Sequence, residues 1–197
     1  MRKLTFEEIT GQRLSFGELQ GLPRLPVWIL LDDIRSLYNV GAIFRTSDAA
    51  RIEKLLLCGI TGHPPRKEID KTALGAVQSV PWEYHENCLA AVKKIKNKGI
   101  PIAVLEHTDN SIPYREVDYS FPLCVVLGNE VNGVSDKIVK EADLAIEIPM
   151  FGTKQSLNVS VSFGILVYEI LFQYLKSIEN REIRDYFYSK CSAAPEK

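Results

Sequence analysis

The sequence lacks the usual features of an exported, membrane-spanning or disulfide-linked protein. Its 197 residues include four cysteines, Cys58, Cys88, Cys124 and Cys191, which are widely separated and form no CxxC pair. This spacing disfavours a zinc ribbon, a redox motif or any other bound metal. The first ten residues are charged rather than apolar, and no later run approaches the roughly 20 apolar residues of a membrane span. We therefore expect a soluble protein of the cytoplasm with reduced cysteines.

An excess of charge of one sign is also missing. Lys and Arg together number 24, against 25 for Asp and Glu. The chain therefore has no global basic field that would attract a polyanion, which counts mildly against nucleic acid. Small basic clusters such as Arg66–Lys67 and Lys93–Lys98 remain, and nucleic-acid binding depends on local phosphate contacts more than on net charge.

The usual nucleotide and hydrolase fingerprints are absent. No GxGxxG follows the first predicted strand, and neither GxxxxGK[ST] nor GxSxG occurs anywhere. The common backbone cradles for a pyrophosphate or a triphosphate are therefore lacking, as is a nucleophile elbow. The polar chemistry of the chain lies in other places.

Continuous apolar runs of strand length alternate with helical patterns. Such runs indicate strands buried on both faces, and the alternation predicts an α/β fold with a mostly parallel sheet flanked by helices. The predicted strands are Val27–Leu31, Lys54–Cys58, Val80–Tyr84, Ile100–Leu105, Leu123–Leu127 and Leu144–Ile148, and the predicted helices are Val40–Ala50, Leu89–Lys98, Ser135–Glu141 and Val159–Lys176. We expect an arm over 1–26, one domain over 27–178, and a helix end with a flexible tail over 179–197.

A first group of polar residues follows the first predicted strand. Asn39 is suited to cap the next helix, and Gly41 and Ala42 permit a close approach of backbone or ligand. Arg45 lies about two turns from the helix start, where the helix dipole gives a cation no benefit. It is either placed for a partner anion or an ordinary surface arginine.

A second group, Gly128 to Ser135, follows the fifth predicted strand. Glu130 stands between two amide side chains, and glycines bracket all three. Open α/β sheets bind ligands at the carboxyl ends of their strands, so this segment is a candidate ligand loop. The alternative is a plain loop with a helix cap at Ser135 or Asp136.

A third group follows the last predicted strand. Ile148, Pro149 and Met150 lead into a loop that contains Gly152, and small polar residues then open a long apolar helix. Ser156 or Asn158 is placed to cap that helix, and the exposed amides of the helix start suit a carboxylate, an adenine edge or a phosphate. A capped core helix without a ligand is the alternative, above all for Ser160 and Ser162.

Together these three segments resemble the three motifs of the SpoU/TrmH family within the SPOUT methyltransferases. The motifs read Asn39-x-Gly41-Ala42-x-x-Arg45-Thr46, Gly128-Asn129-Glu130-x-x-Gly133 and Ile148-Pro149-Met150-x-Gly152-x-x-x-Ser156-Leu157-Asn158-Val159-Ser160. Their order and spacing match over roughly 27–174, and three ordered motifs are more specific than one. The resemblance implies transfer of a methyl group from S-adenosylmethionine to a ribose 2′-hydroxyl of RNA, with tRNA favoured over rRNA.

The resemblance also implies a deep trefoil knot at the C-terminal end of the fold, a homodimer formed through the knot, and an active site at the dimer interface. The implied cofactor-binding residues are Glu106, Gly128, Ile148, Met150 and Leu157. The implied catalytic residues are Arg45, Asn39, Glu130, Ser156 and Asn158. Because a guanidinium stays protonated, we favour Arg45 as an electrostatic clamp and leave the general base open.

Two points remain open. A knotted RNA-binding protein without catalytic activity is the alternative function, and the intact motif residues argue against it. The sequence also departs from the family at Arg51, where related sequences commonly have a glycine after the first helix, so the local backbone geometry there is in question.

Overall fold

The computed structural model describes residues 1–11, 15–179, 184 and 185. By internal contacts the chain divides into two units, one of which is Leu25–Tyr174 and the other of which combines the first 24 residues with the segment from Leu175 onward. The larger unit contains all three polar motifs. Most of the predicted C-terminal tail lies outside the described residues.

Seven strands of the larger unit form one sheet, and every strand pair in it is parallel. The predicted α/β class with a mostly parallel sheet is thereby confirmed. Along the sheet the order is β3-β2-β1-β6-β4-β7-β5. The strands are β1 (Leu25–Asp32), β2 (Ile52–Cys58), β3 (Trp82–His85), β4 (Ile102–Leu105), β5 (Ile112–Pro113), β6 (Leu123–Leu127) and β7 (Leu144–Glu147).

The structure describes eight helices, and those of the larger unit pack on both faces of this sheet. The eight are α1 (Phe6–Gly11), α2 (Phe16–Leu19), α3 (Leu37–Ala49), α4 (Lys67–Ala73), α5 (Ala76–Ser79), α6 (Cys88–Lys96), α7 (Asp136–Val139) and α8 (Val159–Ser177). Of these, α1 and α2 belong to the N-terminal arm. Ser15 caps α2 through a reciprocal capping box with Glu18.

The core has two layers because successive side chains of a strand point to opposite faces. Ile29 and Leu31 of β1 lie in a cluster with Phe44 of α3 and Phe163 of α8. Leu30 lies in a second cluster, which includes Val92 of α6 and Ile138 of α7. All five residues of β6 are buried, as the continuous apolar run predicts for a strand covered on both faces.

The strand order decides where a ligand is able to bind. Strands β6, β4 and β7 are neighbours in the sheet, and they run in the same direction. Their carboxyl ends therefore lie side by side at one edge. The segments that follow them, 128–135, 106–111 and 148–158, are brought together there, although they are distant in sequence.

Two predictions about helix starts are corrected by the structure. Helix α3 begins three residues earlier than predicted, and its cap is Ser36, whose side chain accepts a hydrogen bond from the N–H of Asn39. Asn39 thus lies in the first turn, with its side chain free for other contacts. Helix α7 begins at Asp136, one residue later than predicted, and Ser135 occupies the cap position without a side-chain hydrogen bond.

Helix α8 also corrects the expectation that no stretch approaches the length of a membrane span. It has 19 residues and a mean hydropathy of 1.3 over its most apolar part, which is long and apolar enough to cross a membrane. Its Phe163, Leu166, Val167 and Ile170 are buried in the core against the sheet. The core helix of a soluble protein meets the same criterion, so length and composition alone are weak evidence for a membrane.

Candidate functional site

The loop after β6 is folded back on itself by its own backbone. Asn129 and Gly133 exchange two backbone hydrogen bonds of 3.0 and 2.9 Å, and Gly133 has a φ of 68°. A Cβ on Gly128 would lie only 2.1 Å from the backbone nitrogen of Val134. The close approach of two backbone segments therefore requires glycine at Gly128, and the left-handed conformation favours glycine at Gly133.

Two side chains from other segments and one of the loop's own fix this loop. Glu106, at the end of β4, accepts hydrogen bonds from the N–H groups of Val134 at 2.8 Å and of His107 at 3.0 Å. Asp32, at the end of β1, accepts one from the N–H of Ser135 at 3.0 Å. The amide of Asn129 donates to the carbonyl of Asp33 at 2.6 Å. The loop is therefore held rigidly beside the cavity that it lines.

A hydrogen-bond network joins the three motifs. Nδ2 of Asn39 donates to Oε1 of Glu130 at 2.8 Å, and Nδ2 of Asn158 donates to Oδ1 of Asn39 at 3.1 Å. Oδ1 of Asn158 in turn accepts from the N–H of Ser160 at 3.0 Å, which makes Asn158 the cap of α8. Three of the five predicted catalytic residues are thus linked in one chain of hydrogen bonds, with Asn39 in the middle.

Glu130 braces the start of α3. Its carboxylate also accepts hydrogen bonds from the backbone N–H groups of Arg35 and Ser36, at 2.9 and 3.0 Å. Partial burial works toward raising the pKa of Glu130, but the donors from Arg35, Asn39 and Ser36 outweigh it and leave the pKa below its ordinary value. Glu130 is therefore ionised at neutral pH and occupied by structural hydrogen bonds.

A cavity of about 550 Å³ opens where the three loops meet. Its volume lies in the range of small-molecule and cofactor sites. The lining residues come from the ends of β4, β6 and β7, from the loops after them, and from the start of α8. All five predicted cofactor-binding residues are among them, together with three of the predicted catalytic residues: Glu106, Gly128, Ile148, Met150, Leu157, Glu130, Ser156 and Asn158.

The cavity wall combines apolar surface with unused backbone groups. Ile148, Met150 and Leu157 supply apolar side chains. The backbone N–H and C=O groups of Met150 and Leu157 form no hydrogen bond within the described part of the chain. A flat heteroaromatic ring with hydrogen-bonding edges fits such a wall, since its faces pack against the side chains while its edge pairs with the backbone.

The charge of the lining is negative. Glu106, Glu130 and Glu147 line the cavity, and no Lys or Arg is among its described lining residues. Such a surface disfavours phosphate groups and favours a ligand that carries positive charge.

Two predicted catalytic residues have a different environment from the rest. Arg45 is exposed on α3 and is not part of the cavity lining, and it forms no ion pair or hydrogen bond with the residues that the structure describes. Ser156 lines the cavity but is exposed and does not cap α8. Within this one chain, Arg45 is therefore not brought together with the network of Asn39, Glu130 and Asn158.

Sequence reasoning missed three polar residues at the cavity. His107 and Glu147 are both among its lining residues, and Ser111 contacts Glu147 from the segment after β4. The signal available in the sequence was position alone, since His107 follows the fourth predicted strand as Glu130 follows the fifth. None of the three belongs to a family motif.

The fold and the site define an α/β protein with a ligand cavity at the carboxyl edge of a parallel sheet. The model of the SpoU rRNA Methylase family matches residues 26–168, and the chain belongs to this family. Its predicted family is thereby confirmed.

The relatives agree with this assignment. A protein of Aquifex aeolicus named tRNA (guanosine(18)-2′-O)-methyltransferase is 38% identical over 72% of this chain and 66% of its own length. The protein of the same name from Thermus thermophilus is 34% identical over 87% of both chains. A solved structure, the AdoMet-bound rRNA methyltransferase from Sinorhizobium meliloti, has a TM-score of 0.69 and 29% identity over 77% of this chain and 60% of its own. The chain spans between 59% and 66% of the length of several curated relatives.

Proposed function

We propose that the protein transfers a methyl group from S-adenosylmethionine to a ribose 2′-hydroxyl of an RNA in the cytoplasm. The observation that supports this best is the network of Asn39, Glu130 and Asn158 at the rim of the 550 Å³ cavity in a member of this family. The names of the Aquifex and Thermus relatives favour tRNA over rRNA as the substrate.

The residues of the cavity fit S-adenosylmethionine. Ile148, Met150 and Leu157 would pack against the adenine, and the unused backbone groups of Met150 and Leu157 would pair with its edge. Gly128 permits the close approach of Gly133, which lines the cavity, and of Val134, and Glu106 holds Val134 in place through a hydrogen bond. When bound, the cofactor supplies a methyl group on a positively charged sulfur, whose C–S bond breaks with its electron pair remaining on sulfur as the new O–C bond forms.

The negative lining adds selectivity. A sulfonium and an ammonium are favoured next to Glu106, Glu130 and Glu147, whereas the phosphates of ATP or NAD would meet three carboxylates and no basic side chain among the described lining residues. The absence of the usual phosphate-binding fingerprints agrees with this preference.

The proposal includes the family's deep trefoil knot and a homodimer. One face of α8 supports the dimer, because Val161, Tyr168 and Phe172 are each about half exposed, at 50, 52 and 51%. Their spacing of seven and four residues places them on one stripe of the helix. A second copy that covers this stripe would bury apolar surface that water otherwise contacts.

The dimer would also account for Arg45. Its exposed guanidinium does not line the cavity of its own chain, and no Lys or Arg is among the described lining residues, so an Arg45 from a second copy would add a cation there. In that position Arg45 would bind the phosphate next to the reacting ribose and stabilise the forming alkoxide. Asn39, Asn158 and Ser156 would position the ribose.

Methylation of RNA tests the function directly. Purified protein, S-adenosylmethionine with a labelled methyl group and unmodified tRNA and rRNA transcripts should give a ribose-methylated nucleotide that resists alkaline cleavage of its 3′ phosphodiester. Mass mapping of RNA from cells with and without the gene locates the target. Tight binding of the RNA and the cofactor with no methyl transfer to either RNA would favour the non-catalytic RNA-binding alternative.

A further inference from the structure

A histidine, a glutamate and a serine form a connected group on the side of the cavity made by β4 and β7. Nδ1 of His107 lies 3.2 Å from Oε2 of Glu147, and the hydroxyl of Ser111 donates to the same oxygen at 2.7 Å. The N–H of Thr108 donates to the hydroxyl of Ser111 at 3.3 Å. The carboxylate of Glu147 therefore lies between the hydroxyl of Ser111 and the imidazole of His107.

The backbone around this group is well fixed. Residues of β5 pair with the end of β7, with Pro113 opposite Glu147. The N–H of Tyr114 also donates to the carbonyl of Glu147 at 2.9 Å. Because Ser111 immediately precedes β5, these pairings place its hydroxyl against the Glu147 carboxylate.

The carboxylate determines the tautomer of the histidine. The hydroxyl of Ser111 and then the imidazole of His107 lower the pKa of Glu147, so this carboxyl group is ionised at neutral pH. An ionised carboxylate accepts hydrogen bonds but donates none, so Nδ1 of His107 carries the proton. In the neutral imidazole Nε2 then has the lone pair, and no hydrogen bond from the described residues occupies it.

The other titratable groups of the cavity are already engaged. Each oxygen of Glu106 accepts a backbone N–H, and Glu130 accepts from three donors. Arg45 is a poor base, because a guanidinium remains protonated at any ordinary pH. Among the described lining residues, His107 is thus the group with a basic ring nitrogen that no hydrogen bond engages, as a general base requires.

We propose that His107 is the general base of the methyl transfer, with Glu147 and Ser111 as positioning residues. This inference rests on the proposed function. Nε2 of His107 removes the proton of the ribose 2′-hydroxyl while the oxygen forms its bond to the methyl carbon. The imidazolium that results releases its proton to water, and the side chain of His107 is exposed to 49%, which gives water access.

The surrounding charges favour this role. Glu147 faces His107 from β7, Glu106 precedes it at the end of β4, and Glu130 lines the same cavity from the loop after β6. Asp109 lies two residues further on the same loop. These carboxylates stabilise the positive charge that the imidazole gains when it accepts the proton.

The test compares His107→Ala, His107→Gln and Glu147→Gln with the wild type on the RNA transcript that the wild type methylates. Single-turnover rates are measured from pH 5.5 to 9 at saturating cofactor, with cofactor affinity from calorimetry and folding from thermal unfolding. His85→Ala is the matched control, because Nε2 of His85 lies 3.1 Å from Glu83 in a similar pair on the edge strand β3. The imidazole titration of His107 is followed separately by NMR in cofactor-free protein.

Loss of the base should lower the rate of both His107 variants by about 100-fold or more and remove the limb of the pH profile that reflects imidazole ionisation. Cofactor affinity and thermal unfolding should stay close to those of the wild type. Glu147→Gln should move both that limb and the NMR titration of His107 to lower pH, because the imidazolium loses its anionic partner. His85→Ala should keep the wild-type rate and profile.

Two results overturn the inference while leaving the proposed function intact. One is a His107 variant that keeps half or more of the wild-type rate with an unchanged pH profile. The other is a loss of cofactor affinity that by itself accounts for the lost rate, which would make His107 a cofactor ligand. A wild-type protein that methylates no RNA overturns the proposed function itself.

Discussion

Nδ2 of Asn158 donates a hydrogen bond to Oδ1 of Asn39 at 3.1 Å, although 119 residues of sequence separate them. The same side chain caps α8 through its Oδ1. Asn158 therefore has two functions in one amide, since its oxygen fixes the start of a core helix and its nitrogen orients Asn39. Through Asn39 this contact extends to Glu130, so the relative position of three loops depends on it.

Replacing Asn158 by aspartate separates these two functions. Asp caps helices as well as Asn does, so Asn158→Asp should change the free energy of unfolding by less than about 0.5 kcal/mol. It removes the donor to Asn39, however, and should lower methyl transfer at least tenfold. Asn158→Ala loses the cap as well and should cost about 1 kcal/mol of stability. Thermal unfolding and transfer rates check both expectations.

A second cap provides the control for this substitution. Asn87 caps α6 by accepting the N–H of Ala90 at 2.9 Å, and it does not line the cavity. Asn87→Asp should change neither stability nor activity. Wild-type transfer by Asn158→Asp would show that the contact with Asn39 is dispensable.

The loop after β6 should tolerate no side chain at Gly128. A Cβ there would meet the backbone of Gly133 and Val134 at 2.1 to 2.5 Å, and backbone atoms cannot move aside as the end of a flexible side chain does. We expect Gly128→Ala to destabilise the protein by about 1–3 kcal/mol and to weaken cofactor binding. Gly152→Ala is the control, because its Cβ meets nothing within 4 Å. Calorimetric titration with S-adenosylmethionine measures the difference, and equal affinities would contradict the role of this loop.

Ionisation of Glu130 should make stability depend on pH. Its pKa lies below its ordinary value near 4.5, so its stabilisation is fully present above pH 4.5 and is lost as the pH falls through the lowered pKa of the folded state. The wild type and Glu130→Gln should thus differ in free energy of unfolding by a constant amount near pH 7. This difference should become smaller as the pH falls below about 4.5. Urea unfolding from pH 3 to 7 measures it.

The sequence was sufficient for the central strands β1 and β6 because they are buried on both faces. The run Leu123–Leu127 matches β6 residue for residue, and Val27–Leu31 lies inside β1. Short elements were missed. Strand β5 has two residues and depends on its pairing with β7, so its own sequence carries no strand pattern. Helix α4 begins after Arg66, which provides no side-chain cap, so the sequence shows no capping residue there.

The candidate site was predictable in composition but not in its contacts. The five predicted cofactor residues all line one cavity, since they follow adjacent parallel strands. The roles of individual side chains were less accessible. The sequence predicted Asn39 as a helix cap. In the structure Ser36 caps α3, and the side chain of Asn39 instead donates a hydrogen bond to Glu130. Such a difference of three residues depends on where the chain enters the helix, which the hydrophobic pattern determines only loosely.

Arg51 illustrates a departure from the family pattern with a physical consequence. It follows the C-terminal end of α3 and has a φ of 53°, in the left-handed region that favours glycine. Arg51→Gly should therefore stabilise the protein, by up to about 1 kcal/mol, because it relieves the steric strain of the Cβ. Thermal unfolding measures the gain, and activity should not change. A loss of stability of the same size would contradict this prediction, because it would mean that contacts of the arginine side chain outweigh the strain.

The position of Arg45 leads to a test of the dimer and of the active site together. Arg45→Ala should leave folding and cofactor affinity unchanged, because the guanidinium is exposed and forms no hydrogen bond within the described residues. Methyl transfer should nearly disappear, and Arg45→Lys should restore little, since a point charge does not replace the planar two-pronged donor. Leu157→Arg should instead abolish cofactor binding, because it places a long cation against the proposed adenine wall.

Each of these variants is expected to be inactive as a homodimer, but their combination should not be. If Arg45 acts on the cavity of the second copy, a mixed dimer has one site with an intact cavity and an intact arginine and another site with both defects. Co-expression of Arg45→Ala and Leu157→Arg chains at equal levels should make half of the dimers mixed, each with one working site of two, and restore about a quarter of wild-type activity. Differently tagged chains allow the mixed dimers to be purified and assayed. If Arg45 acts within its own chain, every site in the mixture retains one defect, and no activity should return.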